Sequence, residues 1–431
     1  MSIGRRRFLG LSATAAGATA LGVRQGGAQP PARDELPKSI RDLRPMTAGV
    51  VPIPDDERRA RVEKARRLMA DNRLDAIVLE GGSSMFYYTG VRWGLSERTF
   101  ADVIPRQGEL AWVTPKFEEA RARELIKFST DVRAWEEDES PYRLIADILR
   151  DRGAGTGRVG IEERLRFFVF DGLRKELPQA EFVSADPVTA GGRTIKSPAE
   201  IALMQRANDI TIAAYRAAFA TLHEGMPQGE LQRNIAAAFA ALGTSGSAMV
   251  AFGKWTAYPH GSITPQRLRE GDVVLVDGGT SVEGYQSDIT RTTVFGTPTQ
   301  RQRDVWELEK RAQLAALGAA KVGAPCEAVD AAARKVITDA GFGPDYKVPG
   351  LPHRTGHGIG LDGHEWTNLV RGNKTPLAPG MCFSDEPMIT IYGEFGVRLE
   401  DCFHMTEGGP KLFTELCPSI ERIFPPARSA N

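Results

Sequence analysis

Short apolar runs alternate with longer amphipathic segments along the first half of the chain. The segment "ERRARVEKARRLMADN" repeats apolar residues at helical spacing, with Val62, Ala65 and Met69 on one face. The runs "DAIVLE" and "ELAWVT" have the length and composition of buried strands, and a second helical pattern, "PKFEEARARELIKF", follows the latter. Because helix and strand patterns keep alternating to about residue 190, the region 57–190 is predicted to form an α/β domain.

The pattern changes after "TAGGR" at 189–193, whose two glycines favour a hinge between domains. A long helical segment then begins, with Ser197 as its N-cap, Pro198 in its first turn and Glu200 completing a capping box. Helical and strand-like segments follow it without regular alternation. The region 191–425 is therefore predicted to be a second domain of α+β type.

The N-terminal region differs from both predicted domains. Residues 29–56 contain six prolines and few apolar clusters, which predicts an extended lead-in. Ahead of it, "GRRRFLG" and the small-residue stretch after it resemble a twin-arginine export signal, with a suitable cleavage site after Ala28. Residues 1–28 are predicted to be a signal peptide, so the protein would be exported, periplasmic or secreted, without a membrane anchor after cleavage. The alternative is a basic N-terminal segment with no role in export.

Composition restricts the kinds of partner that the protein could bind, but it does not identify a reaction. Lysine plus arginine and aspartate plus glutamate are equal, at 55 each, so nothing in the charge balance favours nucleic acid. The cysteines lie in the last third of the chain, with no CxxC pair, at Cys326, Cys382, Cys402 and Cys417. Export would permit disulfides, but buried free thiols are the preferred prediction.

Three of the six histidines lie in the stretch "HRTGHGIGLDGHE", at positions 353, 357 and 364. Its glycines do not form GxGxxG and no P-loop lysine follows, so a phosphate-binding loop is disfavoured. His353 and His357 have the spacing of a helical zinc motif, but the glutamate of HExxH is missing and glycine interrupts the helix. A strand or loop that brings histidines together in a cleft is the remaining prediction.

Carboxylates elsewhere strengthen the prediction of a cation site. Asp277 ends the apolar run "VVLVD", and Asp288 follows eleven residues later where a second strand of a hairpin is expected to begin. Glu386 and Glu400 lie in later strand-like segments. Facing carboxylates repel each other and raise one pKa unless cations bind between them. The pattern therefore predicts that these acids hold metal ions.

The order and spacing of Asp277, Asp288, His357, Glu386 and Glu400 resemble those of the metal ligands in the "pita-bread" metallopeptidase superfamily. The flanking words "EGYQSDITRT", "HRTGHGIGLDGHE" and "GVRLED" are similar too, and the extra N-terminal domain points to the aminopeptidase P, prolidase and creatinase branch. The resemblance implies an α+β fold, with a pita-bread catalytic domain preceded by a smaller α/β creatinase-like domain.

The resemblance also implies roles for individual residues. Asp277 is the implied ligand of one metal ion, and His357 and Glu386 of the other, while Asp288 and Glu400 bridge the two. Two divalent ions are implied, with manganese the first expectation and cobalt, zinc or iron the alternatives, because all four accept this donor set.

Further roles follow from the same resemblance. Glu386 would also be the general base, and His353 and His364 the other catalytic residues. His260, His364 and Arg398 are the implied substrate-binding residues, Arg398 mainly by orienting the carboxylates.

The implied activity is hydrolysis of Xaa-Pro bonds by a metal-bridged hydroxide, as in aminopeptidase P or prolidase, carried out by an exported homodimer. The alternative is a metal-dependent hydrolase or lyase of the same fold that acts on a small nonpeptide substrate. A binding protein that has lost catalysis is a third reading, disfavoured because all five ligands are present. Met388, where the family often has glycine after Glu-Pro, leaves the substrate specificity open.

Overall fold

A computed structural model of the protein describes residues 35–426. Its N-terminal half contains one six-stranded sheet in the order β4-β3-β2-β1-β5-β6, with both parallel and antiparallel pairs. The helices are α1 Lys38–Arg41, α2 Asp55–Asp71, α3 Ser83–Thr89, α4 Glu119–Leu125, α5 Pro141–Asp151, α6 Phe167–Glu176 and α7 Asp186–Thr194. The strands are β1 Ala76–Glu80, β2 Ala101–Pro105, β3 Ala111–Pro115, β4 Asp131–Trp135, β5 Arg158–Ile161 and β6 Glu181–Ser184.

The C-terminal half combines four long helices with three sheets. The helices are α8 Pro198–Phe219, α9 Gln228–Ala241, α10 Gln300–Ala319 and α11 Cys326–Asp339. The strands are β7 Gly246–Phe252, β8 Val273–Val282, β9 Tyr285–Gln286, β10 Ile289–Val294, β11 Gly356–Gly358, β12 Glu365–Leu369, β13 Cys382–Asp385, β14 Met388–Ile391, β15 Phe395–Arg398, β16 Asp401–Thr406 and β17 Gly409–Leu412. They form the sheets β10-β8-β7, with β9 paired to β8, β12-β11-β13-β16-β17, and β14-β15.

Local sequence explains where α8 begins. The Ser197 side chain accepts a hydrogen bond from the backbone N–H of Glu200, and the Glu200 carboxylate accepts one from the N–H of Ser197. This reciprocal pair satisfies two backbone donors that the first turn of a helix leaves free. The predicted capping box is therefore present, and it starts the helix directly after the N-terminal domain.

Two local predictions were wrong. The stretch 189–193 is not a hinge, because it lies inside α7, which packs against α2. The lead-in is not merely extended either. It contains the short helix α1, whose Ile40 is fully buried, and the Ser39 hydroxyl donates to the carbonyl of Ala217 in α8. Apolar contact with the second domain overrides the proline-rich composition there. The predicted signal peptide, 1–28, lies outside the described residues.

The cysteines bear on a further prediction. All four cysteines are buried free thiols, as predicted. Among residues 35–426, no helix is long and apolar enough to cross a membrane.

Candidate metal centre

Strands β8 and β10 bring the first two predicted ligands together. The strands pair antiparallel with Thr290 opposite Asp277, and Asp288 comes directly before β10, as the hairpin prediction required. Asp277 itself lies in the middle of β8, not at its end, because the strand continues through Gly278 and Gly279. The Thr290 hydroxyl lies 2.7 Å from Asp277 Oδ1 and 2.7 Å from Glu400 Oε2. This single hydroxyl therefore links the hairpin to a carboxylate of a distant segment.

The five-stranded sheet and the segments next to its strands supply the other three predicted ligands. His357 is the middle residue of β11, Glu386 directly follows β13, and Glu400 lies between β15 and β16. Backbone contacts fix them: the His357 N–H donates to Ser384 Oγ at 3.0 Å, and the Glu386 N–H donates to the carbonyl of Thr355 at 2.8 Å. The His357 and Glu386 side chains meet directly, with Nε2 and Oε1 3.2 Å apart.

All five predicted ligands converge on one cleft. Donor atoms fall within 4.8 Å of one another in three groups: Asp277, Asp288 and Glu400; His357, Glu386 and Glu400; and Asp288, His357 and His364. The first two groups share Glu400, and Asp288 has neighbours on both sides. Two adjacent cation positions with shared carboxylates explain this overlap better than one position does.

Hydrogen bonding leaves the right atoms available for cations. His357 Nδ1 lies 3.0 Å from the carbonyl oxygen of Gly358 and donates to it, so Nε2 is the nitrogen that faces the acids. In the metal-free protein Nε2–H donates to Glu386, and a cation would replace that proton. Glu400 Oε1 is buried and has no hydrogen-bond partner. A buried carboxylate oxygen without a donor is costly unless a cation occupies its other side. The residues present therefore fit divalent metal ions.

The pKa values of the acids reflect their crowding. Burial and the neighbouring Asp277 raise the pKa of Asp288 to about 7. Burial and the Asp288 charge raise the pKa of Glu400 well above its usual range. Burial also acts to raise the pKa of Glu386, but the hydrogen bond and charge of His357 outweigh it and lower that pKa to about 2. Without cations the cluster thus retains protons near neutral pH, and cations would replace them.

Arg398 lies behind these carboxylates and is almost entirely buried. Its guanidinium contacts Asp277 Oδ2 at 2.5 Å, the Thr290 hydroxyl at 3.0 Å and the carbonyl of Pro259 at 3.1 Å. These contacts allow Arg398 to orient Asp277 and, through Thr290, Glu400, and the side chain also borders the cleft. Its predicted role in substrate binding stays a prediction.

The predicted cleft histidines border the same cavity of about 430 Å³. His353 Nδ1 lies 2.7 Å from the Arg354 carbonyl, so Nδ1 carries the proton and the buried, unpartnered Nε2 is an acceptor. His364 has the opposite tautomer, because its Nδ1 accepts from the Arg354 guanidinium at 2.9 Å and its Nε2 is left as the N–H donor. Burial and the nearby His357 lower the pKa of His364 to about 4, which keeps it neutral. His260 is exposed on the cavity wall.

Sequence reasoning assigned no role to Thr290 and Arg354, although both lie in motifs that it singled out, "DITRT" and "HRTGHG". It also missed Arg291, which is fully buried and donates to the carbonyl of Glu400 at 2.8 Å and to Asp401 at 2.6 Å. A polar residue two or three positions from a predicted ligand was the available signal.

The N-terminal domain contacts the histidine stretch directly. Asp362 accepts hydrogen bonds from Ser83 at 2.6 Å, Arg164 at 2.8 Å and Arg193 at 3.1 Å. Buried Glu365 pairs at 2.9 Å with Lys196, which lies just after the N-terminal domain. His364 lies between these two acids, so its loop is held partly by the N-terminal domain, which carries none of the predicted metal ligands.

Comparisons with known proteins agree with this architecture. The creatinase/prolidase N-terminal domain family matches residues 61–195, and metallopeptidase family M24 matches residues 202–407. An uncharacterised peptidase of Schizosaccharomyces pombe is 37% identical over 380 residues, covering 83% of this chain and 81% of that protein. A Xaa-Pro dipeptidase of Lactobacillus helveticus is 34% identical, covering 84% of this chain and 98% of that protein.

A solved structure extends the likeness to the whole fold. The crystal structure of a prolidase from Thermococcus sibiricus matches with a TM-score of 0.77 at 30% identity, covering 84% of this chain and 98% of that one. The predicted two-domain fold and the predicted enzyme class are thereby confirmed. The chain belongs to metallopeptidase family M24, with a pita-bread catalytic domain that follows a creatinase/prolidase N-terminal domain.

Proposed function

We propose that this metallopeptidase is a dinuclear Xaa-Pro dipeptidase. The observation that carries the proposal is the pair of donor groups that share Glu400, since one carboxylate between two sets of ligands suits two adjacent ions. The Lactobacillus helveticus relative, described as a Xaa-Pro dipeptidase, supports the substrate class.

The five predicted ligands would hold the ions, with Asp288 and Glu400 between them. Bound there, two divalent ions would polarise the scissile carbonyl and lower the pKa of a water molecule. Manganese is the metal we propose first, because four carboxylates and one imidazole form a largely hard donor set. Elemental analysis of protein purified without added metal tests that choice, and a full complement of zinc would contradict it.

Side chains of the protein supply the remaining catalytic roles. Glu386, kept ionised as a ligand of the proposed ions, accepts the proton of the attacking water at its carboxylate and passes it toward the leaving nitrogen. The N–H at Nε2 of His364 donates a hydrogen bond to the oxygen of the scissile carbonyl, where negative charge develops. His353 Nε2 accepts a hydrogen bond from an N–H of the substrate. Thr290 and Arg398 keep the carboxylates oriented.

The test measures cleavage of Xaa-Pro dipeptides and of longer Xaa-Pro-Xaa peptides by metal-loaded protein. We expect cleavage of the dipeptides, loss of activity with a chelator, and loss in Glu386→Ala. Glu63→Ala, which removes an exposed acid of α2, should retain full activity. Preference for the longer peptides would instead indicate an aminopeptidase. Full metal occupancy without cleavage of any prolyl peptide would favour the nonpeptide alternative.

We also propose export through the twin-arginine route and assembly as a homodimer. Arg5 and Arg6 support the first, and the family resemblance supports the second. Sequencing the N-terminus of protein recovered from a periplasmic fraction should begin at Gln29, and replacing both arginines with lysine should retain the protein in the cytoplasm. A monomer in light scattering at micromolar concentration would contradict the dimer.

A further inference from the structure

Glu400, the carboxylate that two donor groups share, lies where the chain passes from one sheet to another. Strand β15 ends at Arg398 and pairs with β14, whereas β16 begins at Asp401 and pairs with β13 and β17. Leu399 and Glu400 lie between these strands, and both are buried. Buried backbone carbonyls need hydrogen-bond donors, so at this junction other elements have to supply them.

Arg291 of β10 supplies one set of donors. It follows Thr290 in the strand, so its side chain points away from the face on which the Thr290 hydroxyl meets the ligands. Its Nη1 donates to the carbonyl of Glu400 at 2.8 Å and to that of Thr290 at 3.0 Å. Its Nη2 donates to Asp401 Oδ1 at 2.6 Å, and both side chains of this ion pair are fully buried. One guanidinium therefore joins β10 to the junction and to the start of β16.

Gln313 of α10 supplies the second set of donors. Its Nε2 donates to the carbonyl of Leu399 at 3.3 Å and to Asp401 Oδ2 at 3.1 Å, and Gln313 itself is fully buried. Two side chains thus hold the carbonyls of Leu399 and Glu400 and the carboxylate that follows them. Thr290 and Arg398 act on the ligand side chains, whereas Gln313 and Arg291 act on the backbone of the junction.

The position of this backbone matters because Glu400 belongs to two groups of donor atoms at once. A movement of the junction would change the distances from its carboxylate to both proposed cation positions. Ligand distances in metal sites are held to within about 0.2 Å, so a small displacement is enough to weaken binding.

We propose that Arg291 and Gln313 are positioning residues that fix the backbone of Glu400, so that one carboxylate serves both cation positions. Elements β10 and α10 would thereby set the affinity of the site for metal ions. The inference rests on the proposed dinuclear site and adds to it two residues that do not border the cleft.

The experiment titrates the metal-free full chain with Mn²⁺ in a calorimeter. Gln313→Met keeps the length of the side chain but removes the donors to Leu399 and Asp401. It should weaken the binding of at least one ion by about 10- to 100-fold, the usual effect of losing a group that orients a ligand. Arg291→Lys keeps the charge but replaces the planar fork with a single ammonium group, and it should weaken binding by a similar factor.

Two control variants separate positioning from general packing. Thr414→Val removes the hydrogen bond that the Thr414 hydroxyl donates to the same Asp401 carboxylate at 2.5 Å, without altering the donors to the junction. It should lower the melting temperature of the metal-free protein about as much as Gln313→Met does, yet bind Mn²⁺ as the wild type does. Lys310→Met removes the hydrogen bond from Lys310 to Gln313 and should not weaken metal binding.

The outcomes distinguish this inference from the proposed function. Wild-type Mn²⁺ affinity in both Gln313→Met and Arg291→Lys, or an equal loss of affinity in Thr414→Val, would overturn the positioning roles. If the wild type binds a single ion or cleaves no prolyl peptide, but Gln313→Met alone still weakens metal binding relative to its controls, the dinuclear peptidase proposal fails and the positioning roles stand. If Arg291→Lys does not fold, the comparison of Gln313→Met with Thr414→Val decides.

Discussion

The two domains differ in what they bury. Sheet β4-β3-β2-β1-β5-β6 has a largely apolar interior that includes two buried acids: Glu80, which pairs with Arg166, and Asp102, whose carboxylate oxygens are both buried and unpartnered. The catalytic domain instead gathers carboxylates with raised pKa values, Asp288 and Glu400 among them, around a cleft. Buried charges of like sign oppose folding unless cations or protons neutralise them. The first domain thus buries mainly apolar side chains, which stabilise it. The second domain contains a cluster of carboxylates that opposes folding unless metal ions or protons bind to it.

The largest expected effect comes from neutralising a shared carboxylate. Glu400→Gln should lower kcat/KM by at least about 10³-fold, roughly 4 kcal/mol, because both proposed ions lose a ligand. The same change should stabilise the metal-free protein at neutral pH, since folding no longer requires a proton to neutralise the buried Glu400 carboxylate. Activity assays and thermal unfolding after chelation measure the two effects, with the surface substitution Glu63→Gln as control. If the metal-free variant were less stable than the metal-free wild type, the carboxylate cluster would not be the unfavourable feature that distinguishes the second domain from the first.

Metal removal should weaken the protein in a pH-dependent way. At metal concentrations about a thousandfold above Kd, each ion adds about 4 kcal/mol to the free energy of unfolding. Acids whose folded pKa is raised bind extra protons in the native state, so stability of the metal-free protein should fall as pH rises from about 4 to about 7. Glu386, with a pKa of about 2, stays ionised from pH 5 to 8 and adds no slope there.

The measurement is the difference in melting temperature with and without chelator across that pH range. The difference should be larger at pH 8 than at pH 5, because protons compete with the ions at low pH. A difference in melting temperature that does not change with pH would contradict the expected competition between protons and metal ions for these carboxylates.

A smaller effect is expected at Asp102, the buried and unpartnered acid of the first domain. Burial raises the pKa of Asp102 well above its usual value. Asp102→Asn should therefore raise the free energy of unfolding at pH 8 by about 1–3 kcal/mol, with less change near pH 3, below the pKa of an aspartate in the unfolded chain, which is about 3.9. Catalysis should not change. Asp138→Asn, at an exposed position, is the control, and a destabilised Asp102→Asn would show that the carboxylate has a structural partner.

The smallest effect concerns the contact between the domains. Asp362→Asn weakens hydrogen bonds from Arg164 and Arg193 that hold the loop of His364. We expect kcat to fall about tenfold with little change in the melting temperature, because a catalytic donor is less well placed. Asp171→Asn, which alters an exposed ion pair with Arg174, should leave kcat unchanged. Equal activity in both variants would mean that the first domain does not position the site.

Local patterns predicted some of these features and failed at others for identifiable reasons. The capping box of α8 was predictable because its partners, Ser197 and Glu200, are three residues apart. The helical state of 189–193 was not, because packing of α7 against α2 outweighs the helix-breaking tendency of its glycines. The contact between Thr290 and Glu400 joins residues 110 positions apart, so no local pattern indicated it.

The sequence by itself determined the class of fold and, through the resemblance, predicted the five donors, because residue types at fixed spacing carry a family's motifs. The tertiary structure alone decided which of these side chains lie within 4.8 Å of one another, which imidazole nitrogen is an acceptor, and that the Arg354 guanidinium contacts His364. Those properties depend on distances between side chains from different strands and loops. Such distances are set only when the sheets and domains pack together.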